Sequence, residues 1–184
     1  MILIITIVVA IAIALAGYAI STYNKLAKYK IRIEEAYATT DVYLKKRWDL
    51  IPNIVESVKG YAKHEDSVFK EIAELRQGIG KTSSRTEKME LESRVSDCLN
   101  TIVAIAEAFP ELKADKGFSE LREVLAQCEN DIANSRKYYN AVIKEYNNVI
   151  VVFPSSLVAK LFGHEKMDMF TVREEERENV KVEF

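Results

Sequence analysis

Residues 118–153 read FSELREVLAQCENDIANSRKYYNAVIKEYNNVIVVF, and this stretch decides the fold. Phe118, Leu121, Leu125, Cys128, Ile132, Ser135, Tyr139, Val142, Tyr146, Val149 and Phe153 follow one another at alternating steps of three and four. Steps averaging about 3.5 residues set all of them on one side of an α-helix, the a/d seam of a coiled-coil-like bundle. A long helix with such a seam needs partner helices to cover it.

Working upstream, the same alternation recurs. It runs through Leu91, Val95, Cys98, Ile102, Ile105 and Phe109, and before that through Ile51, Ile54, Val58, Tyr61, Glu65, Val68, Ile72, Leu75 and Ile79. A looser version occupies Tyr23, Leu26, Ile33, Tyr37, Thr40 and Leu44. Breaks fall between these segments. Asp49 can cap a helix whose first turn tolerates Pro52, because the amide that proline lacks would be unpaired there anyway. Gly78, Gly80, Ser83 and Ser84 mark the next connection, Pro110 and Gly117 the one after, and Pro154 ends the last helix. Short connections make sequential helices antiparallel. The expected fold is therefore all-α, an antiparallel up-down four-helix bundle over residues 23–153.

Further upstream, Ile2 to Ile20 contains no charged residue. At about 1.5 Å of rise per residue, that run spans a bilayer core of about 30 Å. A cleaved secretory signal wants a basic start and a shorter apolar core, and neither is present. Leu15-Ala16-Gly17 resembles the start of a lipobox, but Tyr18 stands where the acylated Cys belongs. Residues 1–22 are expected to form a retained transmembrane anchor that continues into the first helix of the bundle. The small residues Ala10, Ala12, Ala14, Ala16 and Gly17 would allow close helix packing in lipid. Lys25, Lys28, Lys30 and Arg32 follow the span, and the positive-inside rule then puts the bundle in the cytoplasm of a plasma-membrane protein.

Up-down topology returns the last helix to the membrane side. Residues 154–184 should accordingly begin with a short membrane-proximal helix, capped by Ser155 or Ser156. Leu157, Val158, Leu161 and Phe162 are its candidate membrane or partner contacts. The charged run Arg173 to Glu178 and the alternation of Val180, Val182 and Phe184 form a tail, disordered or donated to a partner as a strand.

With 29% charged residues, a net charge of −2 and an isoelectric point near 5.8, the chain lacks the basic surface that nucleic acid requires. Its chemistry has to be sought where polar residues interrupt the seam. His64, Glu65, Glu129, Arg136, Tyr139, Asn140, Tyr146 and Asn147 are the candidates for a buried polar network that fixes helix register. A di-iron site needs two Glu-x-x-His motifs, yet Tyr61 stands three before His64 and Leu161 three before His164. A zincin needs a second His where Val68 stands. A mononuclear site from His64, Glu65, Cys98 and Cys128 is conceivable if they share a level, although both Cys sit at core steps. No catalytic, cofactor-binding or metal residue is therefore assigned. The alternative is a ligand-sensing or metal-binding level around Glu65, Glu129 and Arg136, and a further one is direct membrane shaping by anchor and foot.

One ordered set of short motifs runs along nearly the whole chain. It comprises Tyr23-Asn24-Lys25-Leu26, Asp49-Leu50-Ile51-Pro52-Asn53, Val58-Lys59-Gly60-Tyr61 with His64-Glu65, and Phe109-Pro110-Glu111-Leu112-Lys113-Ala114. It continues with Glu129-Asn130 and Arg136, Tyr139-Asn140, Tyr146-Asn147, Phe153-Pro154 and Ala159-Lys160-Leu161-Phe162-Gly163. The set resembles the LemA family. That resemblance implies a prokaryotic membrane-anchored antiparallel helical bundle without established enzymatic activity, whose relatives are often encoded beside a membrane zinc metalloprotease, a candidate partner. Lipid and further copies of the chain are the partners that the anchor and its small residues suggest. Relatives in magnetosome membranes, and others exported as lipoproteins with a Cys before the Tyr-Asn pair, belong to the same picture. The lipoproteins would place the bundle outside the cytoplasm, against the charge rule.

Overall fold

Buried positions continue at helical spacing from Thr22 through Leu26, Ile33, Ala36, Thr40, Leu44, Arg47, Ile51 and Ile54 to Val58. A single helix, α1 (Ile2–Lys59), carries them all. The computed structural model describes residues 1–62 and 66–170 of the chain. Among the described residues there are six helices and no strand. After α1 come α2 (Asp66–Lys81), α3 (Arg85–Glu107), α4 (Pro110–Ala114), α5 (Lys116–Val151) and α6 (Ser155–Leu161).

The course of α1 departs from the expected break at Asp49. Pro52 lies inside the helix, and Asp49 pairs with Lys45 one turn back instead of capping a new start. An interior proline costs roughly 3 kcal/mol. Ile51, Ile54 and Val58 are each at most 4% exposed, and full burial of such side chains contributes roughly 1.5–3 kcal/mol apiece. The packing outweighs the missing hydrogen bond, and Pro52 itself faces outward. The helix stops at Gly60 instead, where Tyr61 and Ala62 turn back onto the Val58 carbonyl. Tyr61, expected on the seam, is 44% exposed, and Ala62 takes the buried place.

Other ends follow their local chemistry. Ser84 caps α3 by accepting from the Glu87 amide at 3.3 Å. Pro110 opens α4, and the Asp115 carboxylate accepts from the Phe118 amide at 2.7 Å in the first turn of α5. Gly78 lets α3 approach, because a β-carbon there would stand 3.3 Å from a Leu91 methyl group. Ser155 does not cap α6; its hydroxyl donates to the Val152 carbonyl at 2.7 Å. Gly163 adopts φ +67°, and the His164 amide reaches the Ala159 carbonyl at 2.9 Å while the Gly163 amide reaches Lys160 at 3.2 Å. This is a Schellman stop, which needs a left-handed residue. The Phe153–Pro154 peptide is cis.

The chain divides into two compact units, and α1 and α5 pass through both. In Ala38–Arg136, one core gathers Ile51, Ile54 and Val58 of α1 with Ile72 and Leu75 of α2. Ala62 just past α1, Val95, Cys98, Leu99, Ile102 and Ala106 of α3, Leu112 of α4, and Phe118 and Leu125 of α5 complete it. The other unit, Met1–Tyr37 with Lys137–Phe184, buries Leu26, Ile33 and Ala36 of α1, Tyr139, Val142, Ile143 and Tyr146 of α5, and Val158 and Ala159 of α6.

Candidate functional site

Inside the Ala38–Arg136 unit, two buried side chains that the seam reading passed over form the polar level. Arg47 is fully buried and Glu92 is 1% exposed. Arg47 Nη2 donates to Glu92 Oε2 and, at 2.8 Å, to the Glu92 carbonyl, while Nη1 donates to Glu129 Oε1 at 3.1 Å and to Ser96 Oγ at 2.6 Å. Ser96 Oγ in turn donates to Glu129 Oε2 at 3.0 Å, and Trp48 Nε1 to Glu92 Oε1 at 3.0 Å. One cation between two carboxylates leaves a formal charge of −1, with Glu129 reaching toward solvent at 28% exposure. Buried charges need this kind of pairing to be tolerated at all. Glu129 belongs to a network centred on Arg47.

A signal for Arg47 was present: it stands three residues after Leu44 and four before Ile51 on the seam of α1. A helix break at Asp49 would end that seam one step short. The buried set of α3 is Met89, Glu92, Val95, Cys98, Leu99, Ile102 and Ala106, which keeps Val95, Cys98 and Ile102 of the seam but shifts by one residue at each end, to Glu92 from Leu91 and to Ala106 from Ile105. His64 and Glu65 lie outside the described residues.

Asn140 and Asn147 of α5 do something other than join that level. In the other unit, each side-chain amide pairs with both backbone groups of one residue in the segment after α6. Asn147 donates to the Met167 carbonyl at 2.9 Å and accepts from its amide at 3.0 Å; Asn140 does the same with Phe170, both at 2.8 Å. The spacing explains the fit. Seven residues of helix rise about 10.5 Å, and three residues of extended chain cover about 10 Å. The strap therefore runs antiparallel to α5, read through its backbone. Tyr139, 2% exposed, stacks edge-on against Phe170 and lies 5.9 Å from the Tyr37 ring. The Tyr146 hydroxyl shares a hydrogen bond with His164 Nδ1 at 3.1 Å. Burial pushes the Tyr146 phenol up, with Glu165 adding to the effect, and burial together with Lys30 pushes the His164 imidazole down.

Both cysteines are buried free thiols. Burial, and after it Glu71, pushes Cys98 up to about 11; burial and then Glu129 raise Cys128, whose thiol donates to the Tyr43 carbonyl. Thiols held protonated are poor metal ligands and nucleophiles. Among the described residues, no group of three or more His, Cys, Asp or Glu side chains gathers in a metal-binding arrangement. An open cleft of about 580 Å³ lies beside Trp48, Pro52, Phe69 and Arg76, with the guanidinium of Arg76 5.9 Å from the centre of the Trp48 ring.

The candidate contact residues separate into two groups. Leu157, Leu161 and Phe162 are 62%, 78% and 50% exposed, whereas Val158 is buried beside Ala159 and packs inward. The Phe162 ring lies 4.8 Å from Tyr23, just past the apolar run of α1. That run remains uncovered by protein, with every residue from Met1 to Tyr18 exposed, and it is the one described helix long and apolar enough to cross a bilayer.

Residues 36–184 match the model of the LemA family. The chain is 23% identical over 158 residues to the protein named LemA of Metamycoplasma hominis, covering 85% of this chain and 72% of that protein. It is 20% identical over 174 residues to magnetosome protein MamQ 2 of Paramagnetospirillum magneticum, covering 80% of this chain and 64% of that one. With magnetosome protein MamQ of Magnetospirillum gryphiswaldense it shares 21% over 156 residues, 71% of this chain and 57% of that relative. The chain thus spans less than two thirds of these two magnetosome relatives.

Proposed function

The chain belongs to the LemA family, and from that premise we propose that it is a membrane-anchored, non-catalytic helical adaptor or scaffold. It works by contact, as an oligomer and with other membrane proteins, rather than by turning over a substrate. We read its helices as an antiparallel four-helix bundle held at the cytoplasmic face of the plasma membrane by α1. The partners to try first are further copies of the chain and a membrane zinc metalloprotease, with membrane-protein quality control or membrane organisation as the purpose.

One observation supports this above the others: the inward carboxylates and side-chain amides named above are engaged with protein partners. Arg47 is occupied by Glu92, Glu129 and Ser96, and Asn140 and Asn147 are occupied by the strap. A catalytic centre holds back a base, a nucleophile or an electrophile for its substrate, whereas these carboxylates and amides are taken up by protein partners. The one buried group of Arg47 without a partner, Nε, is a donor on a cation already paired twice. Glu129, named in the ligand-sensing alternative, is already paired. The uncovered apolar length of α1 is where an unmet demand for contact remains.

The full-length chain, excised from native membranes in polymer nanodiscs and weighed by native mass spectrometry, tests the proposal. A mass above the 21.0 kDa of one chain, containing further copies or a second membrane protein, is expected. Recovery of single chains alone from native membranes would contradict it.

A further inference from the structure

We infer that α6 is a second membrane contact, a foot whose exposed apolar row lies in the headgroup layer of the same bilayer that α1 enters. The inference rests on reading α1 as the anchor, and it adds a lipid-binding surface made from the far end of the chain.

The argument begins with what α6 leaves unused. Val158 and Ala159 bury one face of the helix. The opposite side carries Leu157 and Leu161 one turn apart, 62% and 78% exposed, and Phe153 in the turn ahead of the helix is 75% exposed. Contiguous apolar exposure of this kind marks an interaction surface rather than ordinary scatter. Its position then selects the occupant. Phe162 packs on Tyr23, and Tyr23 stands three residues, or about 4.5 Å of helical rise, beyond Ile20, the end of the uncharged run. Interfacial helices bury their apolar face about 5–10 Å into the boundary between headgroups and acyl chains. The aromatic contact therefore holds α6 within that layer whenever α1 is inserted.

The surrounding residues suit the same layer. Tyr18 and Tyr23, both more than 40% exposed, sit where tyrosines favour a membrane boundary. Lys25, Lys28 and Lys160 are exposed beside them and carry the charge that anionic headgroups attract. A protein partner would have to reach the same row inside the headgroup region, and lipid is there already.

Single cysteines replacing Leu161, Ile11 and Val124 each receive a nitroxide label, and the full-length chain is reconstituted in vesicles of phosphatidylcholine and phosphatidylglycerol. The buried native thiols leave the introduced cysteine as the reactive one. Collision with oxygen, which partitions into lipid, is compared with collision with a water-soluble nickel chelate. Ile11 is the anchor control, and Val124, 42% exposed on α5, is the water control. At Leu161 chelate access is expected to fall well below that at Val124, and oxygen access to lie between the values at Val124 and Ile11. Chelate access at Leu161 equal to that at Val124, with Ile11 still shielded, overturns the foot and leaves the anchor standing. Shielding of Leu161 from both agents assigns the row to protein and also overturns it. Chelate access at Ile11 removes the anchor, and the foot with it.

Discussion

Arg47 is the side chain on which the largest single-residue effect is expected. Its replacement by Met leaves Glu92 buried without its cation, and breaking a buried pair from one side costs about 3–5 kcal/mol. Urea unfolding of Arg47→Met should show a loss of that size, and adding Glu92→Leu and Glu129→Gln should recover most of it. Lys45→Ala removes only an exposed pair with Asp49 and should change stability by under about 1 kcal/mol. These two outcomes rank buried against exposed charge, a ranking the sequence showed only in part. Glu129 was legible as a polar interruption of a strong seam, whereas Arg47 looked like one more cation near a proline. His164 gives the pH dependence at this scale. Its folded value is depressed, so the detached segment binds more protons between that value and the ordinary one near 6.5. The hold of residues 164–170 on α5 should therefore weaken as pH falls below about 6.5 and be regained above it. Hydrogen exchange at the Met167 amide, compared with that in His164→Gln, checks the sign.

Among the elements, α1 tests whether packing overrides a helix breaker. If Pro52 lies mid-helix, Pro52→Ala restores an amide donor to the Trp48 carbonyl and should stabilise the protein by roughly 1–3 kcal/mol. If a new helix began at Asp49, the same change would be close to neutral, and thermal unfolding followed by circular dichroism separates the two. The strap makes a second prediction. Asn140→Leu removes two hydrogen bonds to Phe170, worth about 1 kcal/mol each, so the Phe170 amide should lose exchange protection while the α3 amides keep theirs. Helix α5 was legible nearly whole, because its seam, Pro154 and the Gly117 region mark both ends. The paired asparagines were legible as spaced polar residues but not as a strap: periodicity reports which face of a helix they share, not what lies across from it. Helix α6 turns Val158 inward because a short helix still buries one face.

For the whole molecule, the uncovered apolar run, family membership and the paired carboxylates around Arg47 support the proposed account: a protein tied to lipid whose buried charges serve structure. The run Ile2 to Ile20 announced the tie from composition alone. The division into two units did not show in the sequence, since one continuous seam on α5 passes through both. That account makes the Arg47 level replaceable as long as it is replaced together. The most direct measurement is therefore the mass of the complex carried in native nanodiscs by the triple variant Arg47→Met, Glu92→Leu, Glu129→Gln, beside that of the parent chain. The account predicts a folded variant with the same assembly mass and partners. A folded variant that has lost its partners would contradict it and make the charged level a working site.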